Sequence, residues 1–478
     1  MQRMGIQKIL RRSLWMIAFV IVGWGCTNWG YDSWAQPSPA INLPSPPSAK
    51  LPVKGKTFMV AAANPYAVQA GYEILKKGGN SIDALVAIQL VLTLVEPQSS
   101  GLGGGSFLVY FDGKTHQLNT FDGREMAPLQ ATPHLFLDQT GKPLEFFEAV
   151  VGGRSVGVPG TLKLLWEVHQ RYGKLPWSQL FQPAIQLADH GFIVSKLLAN
   201  LVKLDQDHLS HYPQTRHYFF NPQGDPIQAG QRLSNPELAN TLRILAQQGI
   251  TPFYAGEIGQ DIVKTVHEAT DNPGLLTPED LQRYTVVERS PVCITYRRVY
   301  QVCGMGPPSS GGVAIGEILG VLNAFDLRQL GPENPRSWFL IGEATRLAFA
   351  DRERYLGDSD FISVPVEGLL NPHYLLDRSR LIDPQEHPLK TVSAGDPEGS
   401  DLHTSLTPAM TLEQPCTTHI SIVDAEGKLL MIQRAANDTE FEPLGWHMLG
   451  TVKRFFDTRE AALARVLRGE IGQGVDPG

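Results

Sequence analysis

Cys416-Thr417-Thr418-His419-Ile420-Ser421-Ile422-Val423-Asp424 is the stretch on which the reading of this chain turns. A doubled threonine runs into alternating residues, which predicts a buried strand with Ile420 and Ile422 on one face and Ser421 and Val423 on the other. A threonine hydroxyl is a poor nucleophile until a base takes its proton. Cutting the chain just before the threonine supplies that base, because the freed α-amine can serve. Thr417 is therefore the candidate nucleophile, and Cys416–Thr417 the candidate self-cleavage bond. The same residues also read as an ordinary strand start, since β-branched residues favour strands.

The 478 residues suffice for two domain-sized units or one large layered domain. Hydrophobic residues at 42% and charged residues at 19% are those of a globular chain. A net charge of −7 offers no basic field to recruit phosphate, which excludes the nucleic-acid binders. Four cysteines in this length make no disulfide scaffold. Cys293 and Cys303 flank a predicted hairpin. They either bond in an oxidising compartment or stay as free buried thiols.

The N-terminus reads as an export signal. Arg3, Lys8, Arg11 and Arg12 precede the apolar run Leu14 to Val22, and Ser33-Trp34-Ala35 offers small residues for cleavage. The run is short for a membrane span. Cys26 after Gly25 is a weaker lipid-attachment pattern. Pro and Ser repeat from Gln36 to Lys50 as an extended linker.

Folded structure is expected from about Lys54, with a first strand at Thr57 to Ala63. Asn64-Pro65 opens a helix ending at Gly78-Gly79, and Asn80 or Ser81 caps a core helix, Ile82 to Val95, that is apolar on nearly every side. The glycine run Gly101 to Gly105 follows a helix and leads into a strand, the reverse of a nucleotide-binding loop, and so predicts a close backbone approach instead. Arg124, on a turn after the next strand, is either a surface charge or a fork for a substrate carboxylate. Gly153-Arg154-Ser155-Val156-Gly157 has the form of a nucleophile elbow, but Pro159 and Gly160 would break the helix an elbow requires. Helices are expected over Leu162–Tyr172, Pro176–His190, Ser195–Leu204, Pro236–Gln248 and Gly256–His267, with another capped at Thr277. His208, His211 and His217 read as loop histidines with no carboxylate companion. A β segment from Val286 to Met305 leads through Pro307-Pro308-Ser309-Ser310-Gly311-Gly312 into a helix, and a second helix is expected over Glu343–Tyr355. Asp383 to Gln414, polar and rich in proline, reads as a mobile surface segment.

Together these motifs resemble the γ-glutamyltransferases (glutathione hydrolase proenzymes), which are N-terminal-nucleophile hydrolases. The resemblance is carried by Asn64-Pro65 through Asn80, Gly101 to Gly105, Arg124-Glu125-Met126-Ala127-Pro128 and Val156 to Gly160. Pro307 to Gly312, Ala350-Asp351-Arg352, Tyr355 to Asp358 and Thr417-Thr418-His419 complete it. It implies an α/β fold, the αββα sandwich, and a precursor that cuts itself before Thr417. It further implies attack of Thr417 on the γ-carbonyl of glutathione or another γ-glutamyl compound, then transfer to water or an amino acid. Arg124 matches the arginine that holds the donor α-carboxylate, and Asn437 an asparagine that fixes the glutamyl head group. No cofactor, metal or nucleic acid is implied. The expected organisation is a signal peptide over 1–35, a linker over 36–53, a large-subunit region over 54–416 and a small-subunit region over 417–478. The expected location is periplasmic or extracellular.

The resemblance fades after Met431-Ile432. Ala435 stands where the family has a threonine, and its acidic run and later Ser-Ser and Gly-Gly pairs are missing. Thr458 to Gly469 reads as a helix where strands are needed. A truncated or frameshifted homologue with an incomplete second sheet is therefore expected, with weakened activity. The rival reading is an inactive exported remnant.

Overall fold

The structure, a computed structural model, describes residues 54–269, 271–383, 385, 387–400, 417–427 and 429–435, the last stretch through its backbone alone. Cys416, Asn437, the leader, the linker and the 436–478 tail lie outside the described residues.

Alternation places the strands. The strands β1 (Met59–Ala61), β2 (Ser106–Asp112), β3 (Gln117–Gly123), β4 (Val287–Arg289), β7 (Thr417–Val423) and β8 (Leu429–Ala435) form one six-stranded antiparallel sheet. Its order is β1-β7-β8-β2-β3-β4, so the hairpin β7–β8 fills the centre. Ile420 and Ile422 are fully buried, whereas Ser421 is half-buried and Val423 exposed, the pattern the alternation predicts. Each such burial contributes roughly 1.5–3 kcal/mol.

The buried face packs on α2 (Ser81–Val95), whose residues are nearly all inaccessible. This helix starts where it does because Asn80 and Asp83 form a capping box. Asp83 also accepts the backbone N–H groups of Lys174 (3.0 Å) and Leu175 (3.1 Å), tying a distant turn to the helix start. Before it runs α1 (Pro65–Lys76), with Asn64 as cap and proline in the first turn. After β3 comes α3 (Thr161–Tyr172), whose Leu162, Leu164, Leu165 and Val168 join the same core. The buried Asp424 accepts the Ser81 N–H at 3.0 Å, so the end of β7 is bonded to the start of α2.

The first strand is shorter than the expected Thr57–Ala63, because only three of its residues find partners on β7. A second, smaller packing group follows β4. The hairpin β5 (Val292–Tyr296) and β6 (Tyr300–Gly304) lies against α4 (Gly311–Leu322), with α5 (Pro335–Tyr355) and α6 (Pro372–Ser379) behind it. Val321, Leu322, Phe339, Leu340 and Leu347 form its core. Besides the six-stranded sheet, the described residues hold this hairpin and one two-stranded pair, Phe192–Ile193 with Arg232–Leu233. Helix α5 begins eight residues before the expected Glu343 (343 − 335), set by side-chain capping at Asn334 and by Pro335 in its first turn.

Two further points are decided by the structure. Cys293 and Cys303 face each other across β5–β6 and are disulfide-bonded. The stretch 387–400, expected to be mobile, is instead pinned along α5. The Leu389 N–H donates to Glu343 Oε2 (2.9 Å), the Gly395 N–H to Asp351 Oδ1 (2.7 Å), and the Tyr355 hydroxyl to the Gly395 carbonyl (2.6 Å). No helix among the described residues is long and apolar enough to cross a membrane.

Candidate functional site

Thr417 opens β7 and lies on the face turned away from α2, with His419 and Ser421. It is half-buried, and among the described residues its Oγ1 has no hydrogen-bond partner. A hydroxyl out of water without a partner carries a desolvation cost of about 1–3 kcal/mol, and the same holds for Thr418 Oγ1 on the opposite face.

The strand register relates Thr417 to Arg124. Thr417 faces Ala435 across β7–β8, and Gln433 faces Phe107 across β8–β2. Two residues further along, that register sets Ala435 opposite Gly105. Ser106 faces Gly123 across β2–β3, so the next position sets Gly105 opposite Arg124. Directly opposed residues share a face. Thr417, Ala435, Gly105 and Arg124 therefore make one row across one end of the sheet, on one face. Three strand spacings separate its ends, about 14 Å.

Gly105 is the tight point of the row. A Cβ there would lie 2.5 Å from the Glu125 nitrogen and 2.7 Å from the Arg124 Cα, both backbone atoms. The close approach expected of the glycine run is thus an approach to Arg124 and Glu125. Glu125 also accepts the Gly105 N–H. The Gly104 carbonyl accepts the N–H groups of Gly160 (3.0 Å) and Thr161 (2.9 Å), and Met126 pairs with Val158. Three separate sequence motifs meet here.

Arg124 is half-buried, its guanidinium 6.0 Å from the centre of the Phe107 ring. Neither an ion pair nor a hydrogen bond from that guanidinium occurs among the described residues. Its backbone, by contrast, is held on both sides. The Arg124 N–H donates to Asp122 Oδ1 (2.9 Å), and the Tyr284 hydroxyl donates to the Arg124 carbonyl (2.8 Å). The second Asp122 oxygen accepts from Arg289 Nε at 2.7 Å. Asp122, Tyr284 and Arg289 were not among the expected site residues. Asp122, two residues before an arginine at a strand end, carries a turn-forming signal that could have found it. Arg289 carries none.

Burial pushes the His419 imidazole down to about 4, so it is neutral at physiological pH. Its Nε2 is hydrogen-bonded to Ser421 Oγ at 2.8 Å. Ser155 is elsewhere occupied, its hydroxyl donating to the Val150 carbonyl at 2.8 Å. No helix follows it until Thr161, which removes the elbow geometry. His208 and His211 do have carboxylate companions, contrary to expectation: each pairs with one, Asp205 and Asp271 respectively. No cluster able to hold a metal occurs among the described residues.

The chain as a whole is similar to known proteins. The family model for gamma-glutamyltranspeptidase matches residues 67–436. The glutathione hydrolase proenzyme of Bacillus subtilis (strain 168) is 38% identical over 380 residues, covering 79% of this chain. The chain spans 64% of that relative's length. The crystal structure of Helicobacter pylori gamma-glutamyltranspeptidase superposes with a TM-score of 0.68 at 35% identity, covering 74% of this chain and 99% of that one. A cephalosporin acylase from Bacillus halodurans gives a TM-score of 0.68 at 28% identity, over 82% of this chain and 68% of the other.

Proposed function

Since this chain belongs to the γ-glutamyltranspeptidase family, we propose that it transfers γ-glutamyl groups from glutathione and other γ-glutamyl compounds to water or to amino acids. The observation that carries this reading is the row across the sheet: a threonine hydroxyl at one end and a guanidinium at the other, on the same face and both without a hydrogen-bond partner among the described residues.

The chemistry follows from those two groups. Cleavage of the Cys416–Thr417 bond frees the Thr417 α-amine, which takes the Oγ1 proton as the oxygen attacks the donor's γ-carbonyl. The tetrahedral intermediate collapses with loss of the donor's amine, to which the proton is returned, and leaves a γ-glutamyl ester on Thr417. Water or an amino-acid amine then attacks the ester, and Thr417 Oγ1 recovers its proton. Arg124 receives the donor's α-carboxylate as a bidentate partner and so fixes the distance from carboxylate to γ-carbonyl. Neutral His419 adds no charge beside the nucleophile. Asn437 is assigned to the glutamyl head group by the family resemblance alone.

The same reading makes the protein a precursor with an exported leader over 1–35, a linker over 36–53 and two subunits over 54–416 and 417–478. The Cys293–Cys303 bond supports an oxidising, periplasmic or extracellular location.

Denaturing electrophoresis and a chromogenic γ-glutamyl anilide test this function together. The purified chain should separate into two pieces at Thr417 and release the chromophore, and Thr417→Ala should stay whole and release none. A single uncut band with no turnover in the wild type would establish the remnant reading instead. Turnover unchanged in Thr417→Ala would overturn the mechanism.

A further inference from the structure

Resting on the reading of Arg124 as the donor's carboxylate clamp, we infer that Asp122 is the positioning residue that aims it, locked in place by Arg289 and Asp360. Two arginines stand at this end of the sheet, and they are in opposite states. Each of the three Arg289 nitrogens is engaged by a carboxylate: Nε donates to Asp122 Oδ2 (2.7 Å), Nη1 to Asp360 Oδ1 (2.9 Å) and Nη2 to Asp360 Oδ2 (2.7 Å). Its side chain is only 15% exposed and faces two carboxylates, so it offers an incoming anion little spare donor capacity and no net positive charge. Among the described residues Arg124 keeps its guanidinium uncommitted, while its peptide groups are bonded on both sides.

Asp122 makes that division. Its side chain is 7% exposed, and its two oxygens serve two different donors, the Arg124 N–H and Arg289 Nε. If Asp122 turned away, Arg289 would keep Asp360 but its Nε would be released as a competing donor for the carboxylate. Asp360 fixes the far end of Arg289, and beside it the Ser359 hydroxyl donates to the Pro307 carbonyl at 3.4 Å. The clamp is thereby braced against the approach to α4. Asp122 and Arg289 are 167 positions apart and Arg289 and Asp360 a further 71, so the relay exists only in the folded chain.

Asp122→Asn is the incisive variant, because an amide has one acceptor oxygen where the carboxylate has two. In either amide orientation one donor, Arg124 N–H or Arg289 Nε, faces an NH₂ group. Binding of L-glutamate and of 4-aminobutyrate, which lacks the α-carboxylate, is measured by titration calorimetry on the full chain. The wild type should prefer L-glutamate. Asp122→Asn should lower that preference about 10- to 100-fold, the worth of one charge-assisted hydrogen bond, while its affinity for 4-aminobutyrate is unchanged. Asp360→Asn, at the far end of the relay, should lower the preference in the same direction by less. With the γ-glutamyl anilide, KM should rise more than kcat falls, because the clamp binds ground state and transition state alike. An unchanged preference in Asp122→Asn overturns the inference, as does equal loss of both ligands in the two variants, which is the mark of a merely structural residue. A wild type with no preference for L-glutamate refutes the clamp reading of Arg124 itself, and this inference falls with it.

Discussion

Gly105→Ala and Gly103→Ala, two changes in one glycine run, should have opposite consequences. A Cβ at Gly105 would sit 2.5 Å from the Glu125 nitrogen, where ordinary contact begins at 3.4 Å, so the strand ends must part by about 0.9 Å (3.4 − 2.5). The Glu125 carboxylate, which also lies against this position, can swing away, but the backbone atoms of Arg124 and Glu125 cannot. Overpacking of this kind costs roughly 1–3 kcal/mol. The displaced residue is Arg124, and a shift near 1 Å at a substrate-positioning group can cost about 100-fold in rate. A Cβ at the exposed Gly103 meets nothing within 4 Å, and Gly103→Ala should stay within about 0.5 kcal/mol of wild type. Urea denaturation gives the stability difference, and kcat/KM on the γ-glutamyl anilide gives the displacement of the clamp. Wild-type kcat/KM in Gly105→Ala would refute the register that sets Gly105 against Arg124.

Two further predictions concern stability. The Cys293–Cys303 bond closes a loop with a sequence separation of 10, so the double Ser variant should lose about 3 kcal/mol in urea denaturation. Alkylation of both cysteines in the unreduced, denatured wild type would show instead that the bond is absent. Glu317 and His419 should give the pH–stability curve a flat stretch between about 4.5 and 6.5, where their opposite slopes cancel, and a falling limb above it. Burial, with Asp351 adding to it, pushes the Glu317 carboxyl from 4.5 up to about 10. Between those values the native state holds a proton the unfolded chain releases, so stability falls as pH rises, by about 1.4 kcal/mol per pH unit. His419 is pushed from 6.5 down to about 4, so there the unfolded chain holds the extra proton and the His419 contribution to stability falls as pH drops through that window. Denaturation midpoints from pH 5 to 9 should lose their alkaline slope in Glu317→Gln and gain acid tolerance in His419→Gln. A slope unchanged in Glu317→Gln would show that its carboxyl is already ionised in the native state.

What the sequence reveals here is local. Asn80 with Asp83 and Thr277 with Asp280 announce their helices, because a capping box is written within four consecutive residues. Ile420 and Ile422 announce their face for the same reason. The glycine run announces a close approach without saying to what. Arg124 could be singled out only through family resemblance, since a strand-end arginine is by itself an ordinary surface charge. Arg289 and Asp360 have no local signature at all, and their role arises when β4 and the 358–362 loop are folded together. The stretch 387–400 misled for a related reason: its composition is that of a loop, but the carboxylates that hold it, Glu343 and Asp351, belong to a helix over 40 residues upstream. The Cys293–Cys303 pairing needed a register, which two flanking positions do not supply.

The central place of the β7–β8 hairpin also sets a timetable. Val60 pairs with Ile422, 362 positions later (422 − 60), and β7 and β8 separate β1 from β2 in the sheet. A nascent chain still short of residue 417 has therefore made both flanks of a gap and nothing to put in it. Such distant pairings form slowly, and until they form, the flanks expose open edges that are prone to aggregate. The bond ahead of Thr417 acquires its surroundings only when strands made late in synthesis have slotted between strands made early, so any reaction at that bond reports a finished sheet.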